Sequence, residues 1–291
     1  TGIVLKATAD PFPKRFFTGI DHHFNYKELL ERTDINAITV ATPPFTHHQI
    51  TIDALRAGKH VLVEKPPALT LEQLEEMRYT AEQSGVILFT AYHSMYSPVV
   101  EAACTELVGK TVTAMLISFK ERRKLDKPHS WPLVKNKAGG GALMDSGINA
   151  ASIVRRILPS ARLVIVNSRM LVPPNFEVET EVAVDFTFDK SGVGRLEMDW
   201  FHQGPEEHNI TIIADHHKYE INRVQGQLFK DGQLLMGTAG THRIGADQHI
   251  EYRGVYEDFA NHVLNGRSKV NSAELKFVLD SYELSKAHGL S

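Results

Sequence analysis

Residues 61–67 read Val61-Leu62-Val63-Glu64-Lys65-Pro66-Pro67, an aliphatic run that ends in a carboxylate, an amine and two prolines. A β-branched run between Gly58 and Pro66 is typical of a short buried strand in a parallel sheet. Glu64 and Lys65 then lie at the carboxyl end of this strand, the edge at which open α/β sheets bind ligands. The stretch predicts an α/β fold and makes Lys65 a candidate for chemistry, although a surface lysine before a turn fits the pattern equally well.

The composition is that of a globular protein without a polyanionic partner. The 291 residues, 42% of them hydrophobic, suffice for two domains, and a formal net charge of -3 gives no reason to expect nucleic acid or an anionic membrane. Cys104 is the single cysteine, which excludes an internal disulfide framework. Because we find neither an apolar run of membrane-span length nor a signal-peptide pattern, we expect a cytoplasmic protein.

Strands and helices alternate in the first third of the chain. The patterns predict strands at 37–41, 60–64 and 86–90, with helices at 46–57 and 70–84. Both helices start with the capping-box pattern, at Thr46 and Thr70, and Gly85 follows the second. Elements in this order form βαβ units around a parallel sheet, so residues 1–92 are predicted to be a Rossmann-like domain.

The strand predicted from Ile3 to Asp10 begins almost at the first residue, and the sequence contains no G-x-G-x-x-G turn. In dinucleotide-binding folds this turn follows the first strand, and an acid at the end of the second strand binds the adenosine ribose. We therefore interpret the strand as the second of a Rossmann-like sheet that lacks its first strand and glycine turn, with Asp10 as the ribose ligand. A plain turn residue before Pro11 is the alternative.

Beyond Thr90 the pattern changes to an alternation with a period of two. Residues 182–188 and 195–200 place apolar and polar side chains on opposite faces, and turn sequences follow each segment. This pattern is typical of a mainly antiparallel sheet with one covered face. Residues 93–291 are therefore predicted to be an α+β domain with a large open sheet.

Three consecutive glycines, Gly139 to Gly141, precede a segment that is predicted to be helical as far as Leu158. Glycines allow the backbone to approach another group closely. Asp145 and Asn149 are four residues apart and share a face of the predicted helix. An acid and an amide at this spacing are either an exposed helical pair or part of a site.

Together these stretches resemble the Gfo/Idh/MocA family of NAD(P)-dependent oxidoreductases, over nearly the whole chain. The motifs that carry the resemblance are Ala41-Thr42-Pro43-Pro44, Ala57-Gly58-Lys59-His60-Val61, Glu64-Lys65-Pro66, the three glycines and Asp145-Ser146-Gly147. Most of the family has His at the position of Asn149, whereas the branch similar to the D-galactose and L-arabinose 1-dehydrogenases has Asn there. Ser146 and Met95 depart from that branch, which leaves the sugar specificity open.

The resemblance implies that a hydride passes from C1 of an aldose, such as galactose or arabinose, to NAD or NADP and that the lactone is formed. A base must then accept the proton of the C1 hydroxyl. We assign this role to Asp145, with the Lys65 ammonium stabilising the developing alkoxide and Asn149 orienting the hydroxyl. The hypothesis requires these three side chains to converge on one hydroxyl.

The resemblance also implies a set of cofactor contacts. Besides Asp10, the residues expected beside the nicotinamide and its ribose are Thr42, Pro43, Pro44, His47, Glu64 and Lys65. Lys14 and Arg15 favour a 2′-phosphate whereas Asp10 favours an unphosphorylated ribose, so NAD and NADP both stay open.

Substrate contacts are expected from polar and aromatic side chains around the predicted cleft. In addition to Asp145 and Asn149, His93 and Glu121 are candidates for sugar hydroxyls, and Trp131 for stacking on a sugar face. The alternatives are structural hydrogen bonds for His93 and Glu121 and a core position for the Trp131 ring. No metal is predicted, because the adjacent histidine pairs point to opposite faces of a strand and no ligand spacing occurs.

Two other interpretations stay open at this stage. The first is a non-catalytic sensor that has this fold and binds dinucleotide or sugar without turnover. The second is a dehydrogenase with the same motifs that acts on another polyol or sugar derivative. The open face of the second sheet predicts a homo-oligomer, formed as a dimer through that face.

Overall fold

The computed structural model describes residues 2–13, 16–124, 130–189, 191–237, 244–266 and 273–287. The chain forms two compact units, the first from residues 1–91 and 255–272 and the second from residues 92–254 and 273–291. Within the described ranges, no helix is both long and apolar enough to cross a membrane.

The first unit contains the predicted parallel strands. β1 (Ala7–Ala9) pairs with β2 (Asp21–His23), and β3 (Ala37–Val40), β4 (His60–Glu64) and β5 (Leu88–Ala91) form a three-stranded parallel sheet. The helices are α1 (Tyr26–Glu31), α2 (Pro44–Arg56) and α3 (Leu71–Ser84). β4 is central in its sheet and its residues 61–63 are at most 1% exposed, which confirms the buried strand. The strand predicted from Ile3 is shorter than expected.

The two helix starts differ in how well the sequence predicted them. α3 begins as predicted, because Thr70 Oγ1 accepts a hydrogen bond from the Gln73 N–H, and Gly85 ends it with a φ of 65°. α2 begins two residues before Thr46, since Pro44 fits the first helical position, where no N–H is needed. The Thr46 hydroxyl instead donates to the Pro43 carbonyl at 2.7 Å.

The second unit contains one large sheet and the remaining helices. Its helices are α4 (Pro98–Glu106), α5 (Lys135–Ala138), α6 (Ile148–Ile157), the first part of α7 (Ile244–Asn265) and α8 (Ala273–Ala287). Its strands are β6 (Val112–Lys120), β7 (Leu163–Leu171), β8 (Glu181–Phe188), β9 (Gly192–Asp199), β10 (Glu207–Ala214), β11 (His217–Asn222), β12 (Gln227–Lys230) and β13 (Gln233–Met236). The strand order is β13-β12-β11-β10-β6-β9-β8-β7, and only β6 and β9 pair in parallel among the described strands of this sheet. The mainly antiparallel sheet is therefore confirmed.

The alternation along β8 and β9 separates a covered face of this sheet from an open one. Val184, Phe186 and their neighbours two residues away are buried, and the Phe186 ring packs edge to face on Phe277 of α8 at 5.5 Å. On the opposite face, Val166 is 52% exposed and Val193 is 54% exposed. The predicted face assignment is confirmed, because a period of two sends successive side chains to opposite sides.

The second part of α7 belongs to the first unit, whereas the predicted boundary placed all of residues 93–291 in the second domain. The rings of Phe259 and His262 lie 5.9 and 5.3 Å from the ring of Phe89 on β5. These aromatic contacts explain the placement. Helical periodicity indicates that a helix has an apolar face but not which sheet that face packs against.

Candidate active site

The carboxyl edge of the three-stranded sheet carries Glu64 and Lys65 where the sequence predicted them. Glu64 ends β4, and the Lys65 N–H donates to Glu64 Oε2 at 3.1 Å. Both residues are partly buried, and the Lys65–Pro66 peptide bond is cis. In open parallel sheets this edge is the usual place for a bound ligand.

His47 ties together the loops that follow β3 and β4. Its Nδ1 lies 2.8 Å from the Pro66 carbonyl and its Nε2 lies 2.7 Å from the Thr42 carbonyl. Burial lowers the pKa of His47, although both carbonyl partners oppose this change. The ring therefore supports the two loops that carry Thr42 and Lys65, and a direct cofactor contact stays a prediction.

The other predicted cofactor residues lie around strand ends. Thr42 is exposed after β3 and its hydroxyl lies 2.6 Å from that of Thr46, while Pro43 and Pro44 start α2. Asp10 is exposed at the end of β1, and its Oδ1 accepts the Phe12 N–H at 2.7 Å. Lys14 and Arg15, predicted as possible phosphate ligands, lie outside the described residues.

In the second unit, the close approach predicted at the glycines is made to the protein itself. A Cβ on Gly140 would lie 1.9 Å from the Tyr282 hydroxyl oxygen, and a Cβ on Gly141 would lie 1.9 Å from the Glu179 carbonyl. Glu179 Oε1 accepts hydrogen bonds from the N–H groups of Gly141 and Leu143 and from the Tyr282 hydroxyl. Burial raises the pKa of Glu179 in spite of these donors. Glu179 therefore fixes the start of the segment that carries Asp145.

Asp145 lies in a π-helical turn, and Asn149 lies in the α-helix that follows it. Residues Leu143–Gly147 form a π-helical turn that continues into α6, whereas the sequence predicted an ordinary helix. A π turn takes one more residue than an α turn, which the apolar pattern does not reveal. Asn149 Nδ2 donates to the Asp145 carbonyl at 3.4 Å. Asn149 is buried, and its Oδ1 accepts no hydrogen bond from the described residues.

Arg123 links Asp145 to Glu121. Its Nη2 lies 2.6 Å from Asp145 Oδ2, and its Nε donates to Glu121 Oε2 at 3.0 Å. The Ser146 hydroxyl also donates to Glu121 Oε2, at 2.9 Å, and accepts a hydrogen bond from Trp200 Nε1. Two predicted site residues, Asp145 and Glu121, are thus joined by one guanidinium that the sequence did not single out.

His208 lies on the other side of Glu121, with its Nε2 at 3.5 Å from Glu121 Oε1 and 3.7 Å from Glu206 Oε1. Burial raises the pKa of Glu121, but His208 and Arg123 outweigh burial and lower it to about 2. In the described structure, Glu121, Glu206 and His208 form one group whose ligand-type atoms lie within 4.8 Å of one another. No sequence spacing indicated this group, since its members come from β10 and two loops. The expectation that the protein binds no metal stays a prediction.

His93 is held by contacts with Glu251 and Tyr252. Its Nδ1 lies 2.7 Å from Glu251 Oε2, and its ring stacks on Tyr252 at 5.1 Å. The other oxygen of Glu251 accepts a hydrogen bond from Arg223 Nη2 at 2.6 Å. Burial raises the pKa of Glu251, but His93 and Arg223 together lower it below its ordinary value. The Arg223 Nη1 lies 3.5 Å from His208 Nδ1, so contacts extend from His93 to Glu121.

Sequence reasoning missed most of the residues that support the site. Arg123 had a weak signal, since it lies in the charged run Lys120-Glu121-Arg122-Arg123-Lys124 after a strand. His208, Arg223 and Glu251 had no signal in the sequence, because their partners come from distant segments. Trp131 is 42% exposed in a short 3₁₀ turn, and its sugar contact stays a prediction.

Comparisons with known proteins agree with this architecture. A family model described as "Oxidoreductase family, NAD-binding Rossmann fold" matches residues 6–92, and one described as "GFO/IDH/MocA C-terminal domain" matches residues 108–220. The galactose 1-dehydrogenase of Pseudomonas fluorescens is 30% identical over 271 residues, which cover 91% of this chain and 82% of that protein. The D-glucoside 3-dehydrogenase of Escherichia coli (strain K12) is 24% identical over 263 residues, which cover 84% of this chain and 74% of that protein.

A solved structure gives the same relationship in three dimensions. The crystal structure of a D-galactose-1-dehydrogenase protein from Rhizobium etli matches with a TM-score of 0.82 at 29% identity, over 97% of this chain and 86% of that one. The parallel sheet, the large open sheet and the two family models all indicate the same family. The chain therefore belongs to the Gfo/Idh/MocA family of oxidoreductases, with an NAD-binding Rossmann domain followed by the family's C-terminal domain.

Proposed function

We propose that this protein oxidises C1 of an aldose, such as galactose or arabinose, and releases the lactone. The single observation that supports this best is the Asn149 side chain: its Nδ2 donates to the main-chain carbonyl of Asp145, and its buried Oδ1 has no donor among the described residues. Buried acceptors are normally satisfied, so a substrate hydroxyl is a fitting donor here. The similarity to galactose 1-dehydrogenase over most of the chain supports the same reaction.

The residues of the first unit fit a dinucleotide. Asp10 presents an exposed carboxylate at a strand end, which suits ribose hydroxyls, and α2 starts without a side-chain cap on its N–H groups. Thr42, Pro43, Pro44, His47, Glu64 and Lys65 complete the proposed binding set. Bound NAD or NADP supplies the hydride acceptor.

In the proposed mechanism, Asp145 accepts the proton of the C1 hydroxyl while the C1 hydride leaves. The Lys65 ammonium donates a hydrogen bond to the same oxygen and stabilises its developing negative charge. Asn149 Oδ1 accepts a hydrogen bond from a neighbouring sugar hydroxyl, which orients the C1 hydroxyl toward Asp145. His93, Glu121 and Trp131 are proposed to contact the other hydroxyls or a face of the sugar.

An absorbance assay with isotopic labels tests this proposal. Galactose, arabinose, fucose and glucose are each supplied with NAD and with NADP, and we expect reduced nicotinamide with at least one sugar. Deuterium at C1 of that sugar should slow turnover and appear in the reduced cofactor, whereas deuterium at C3 should do neither. Transfer from C3 would instead support the second candidate, which the similarity to a D-glucoside 3-dehydrogenase favours. Sugar binding without turnover would support the sensor.

We also propose a homodimer formed through the open face of the large sheet. Val166, Val193 and Leu116 expose apolar surface on this face, and apolar patches of this kind mark protein contacts. Light scattering should give twice the monomer mass at micromolar concentration. Val166→Glu should give the monomer, while Val108→Glu, an exposed valine outside the sheet, should not change the mass. A monomeric native protein would rule the dimer out.

A further inference from the structure

Arg123 is held from several sides in the second unit. Its backbone N–H donates to the Trp200 carbonyl at 2.9 Å, and its guanidinium carbon lies 4.9 Å from the centroid of the Trp200 ring. The same guanidinium contacts Asp145 at 2.6 Å and Glu121 at 3.0 Å. These contacts restrict the side chain, so the guanidinium determines where the Asp145 carboxylate lies.

The two carboxylates that share Arg123 are not equivalent. Glu121 is almost fully buried, and it also accepts a hydrogen bond from Ser146. Burial raises its pKa, but His208 and the Arg123 guanidinium lower it to about 2, which favours the ionised form of Glu121. Asp145 is partly exposed. Only Asp145 is therefore placed to exchange a proton with a substrate.

This difference between the two carboxylates keeps the charge of Arg123 balanced. If Arg123 were paired with Asp145 alone, protonation of Asp145 would leave a largely buried cation without a counter-ion, which is costly. Because Glu121 stays ionised beside Arg123, the cation remains paired in both protonation states of Asp145.

We infer that Arg123 is a positioning residue for the proposed base, which it holds in place and keeps ionised, with Glu121 as its permanent counter-ion. This inference rests on the proposed function, in which Asp145 accepts the proton. A cation in contact with a carboxylate favours the ionised form. The base therefore remains available at a lower pH than it would without Arg123.

Other charged groups near this arrangement also titrate or set the local field. They are His208 and Glu206 beside Glu121, Asp199 with His202 on the side of Trp200, and Arg122 and Lys124, which flank Arg123. All of these residues are retained in the Arg123 variants, so the comparison of Arg123→Gln with Arg123→Lys isolates the effect of the charge at position 123.

The test compares Arg123→Gln, which removes the charge, with Arg123→Lys, which keeps the charge but cannot contact both carboxylates equally. For Arg123→Gln we expect kcat to fall about 10- to 100-fold with a smaller change in KM. The acidic limb of its kcat/KM profile should move to higher pH by about one unit or more. Arg123→Lys should restore the acidic limb but only part of kcat.

The matched control is Arg156→Gln, which removes another guanidinium that is paired with a carboxylate in the same unit, that of Glu101. Its kcat and pH profile should equal those of the native protein. If Arg123→Gln left the acidic limb in place, or changed no more than Arg156→Gln, the inference would be wrong.

A second measurement needs no turnover and separates this inference from the proposed function. In protein labelled with carbon-13 at the aspartate carboxyls, Asp145 is identified by the signal lost in Asp145→Asn. That signal should titrate at higher pH in Arg123→Gln than in the native protein. An unshifted titration overturns the inference, whereas an inactive native protein with a shifted titration overturns only the proposed function.

Discussion

Asp145→Ala and Lys65→Ala are each expected to lower kcat for aldose oxidation by a factor of about 10² to 10⁴, the usual contribution of a positioned acid or base. In the proposed mechanism, the loss of Asp145 leaves the C1 hydroxyl without a positioned base, so its proton must go to water. In the same proposal, the loss of Lys65 removes the charged hydrogen-bond donor that stabilises the negative charge developing on the C1 oxygen. Steady-state rates at saturating sugar and cofactor measure both effects.

The double variant tests whether the two side chains act on one hydroxyl. Residues that work as a unit are strongly non-additive, so the double variant should lose much less than the product of the two single losses. Asp280→Ala and Lys27→Ala remove an exposed acid and an exposed amine elsewhere and should leave kcat unchanged. Near-native rates in both single variants would remove the proposed mechanism, and fully multiplicative losses would argue against a shared hydroxyl.

Gly141→Ala is expected to give the largest loss of stability of any alanine substitution at the glycines that the structure describes. The added Cβ would meet the Glu179 carbonyl at 1.9 Å, and the obstacle is backbone, which cannot rotate away. The clash also disturbs the Gly141 N–H bond to the Glu179 carboxylate, which is buried. We expect the free energy of unfolding to fall by at least about 2 kcal/mol, as for other overpacked cores. Urea denaturation followed by circular dichroism measures this loss.

Gly204→Ala is the control for that substitution. There the added Cβ meets the far end of the His202 side chain, which can rotate away more easily than backbone, so the unfolding free energy should change by less than about 0.5 kcal/mol. Because Gly141 starts the segment that carries Asp145, Gly141→Ala should also lower kcat when the protein is fully folded. Equal stability of the two alanine variants would contradict the close packing at Glu179.

Local patterns predicted much of the fold. The aliphatic run at 61–63 is a buried strand, the Thr70 cap starts α3, and the alternation along β8 matches its buried and open faces. Each of these features depends on residues close together in the sequence, where periodicity and capping chemistry act. The start of α2 was predicted less well because a proline at the first helical position competed with the Thr46 pattern.

The candidate site was predicted only in part, for a physical reason. Asp145 and Asn149 were identified because they are four residues apart and lie in a stretch that resembles the family. The guanidinium of Arg123 and the carboxylate of Glu251 were not, because each pairs with a side chain from a distant segment. Such pairs leave no periodic trace in the sequence.

The sequence by itself determined the parallel and antiparallel sheets, the buried strand that ends at Lys65 and the acid and amide near the glycines. Only the tertiary structure decided that the glycines pack against Glu179 and Tyr282, that the Asp145 segment is a π turn, and that Arg123 is shared by two carboxylates. The reason is that periodicity and capping act between near neighbours, whereas close packing and charge pairing depend on which distant segments the fold brings together.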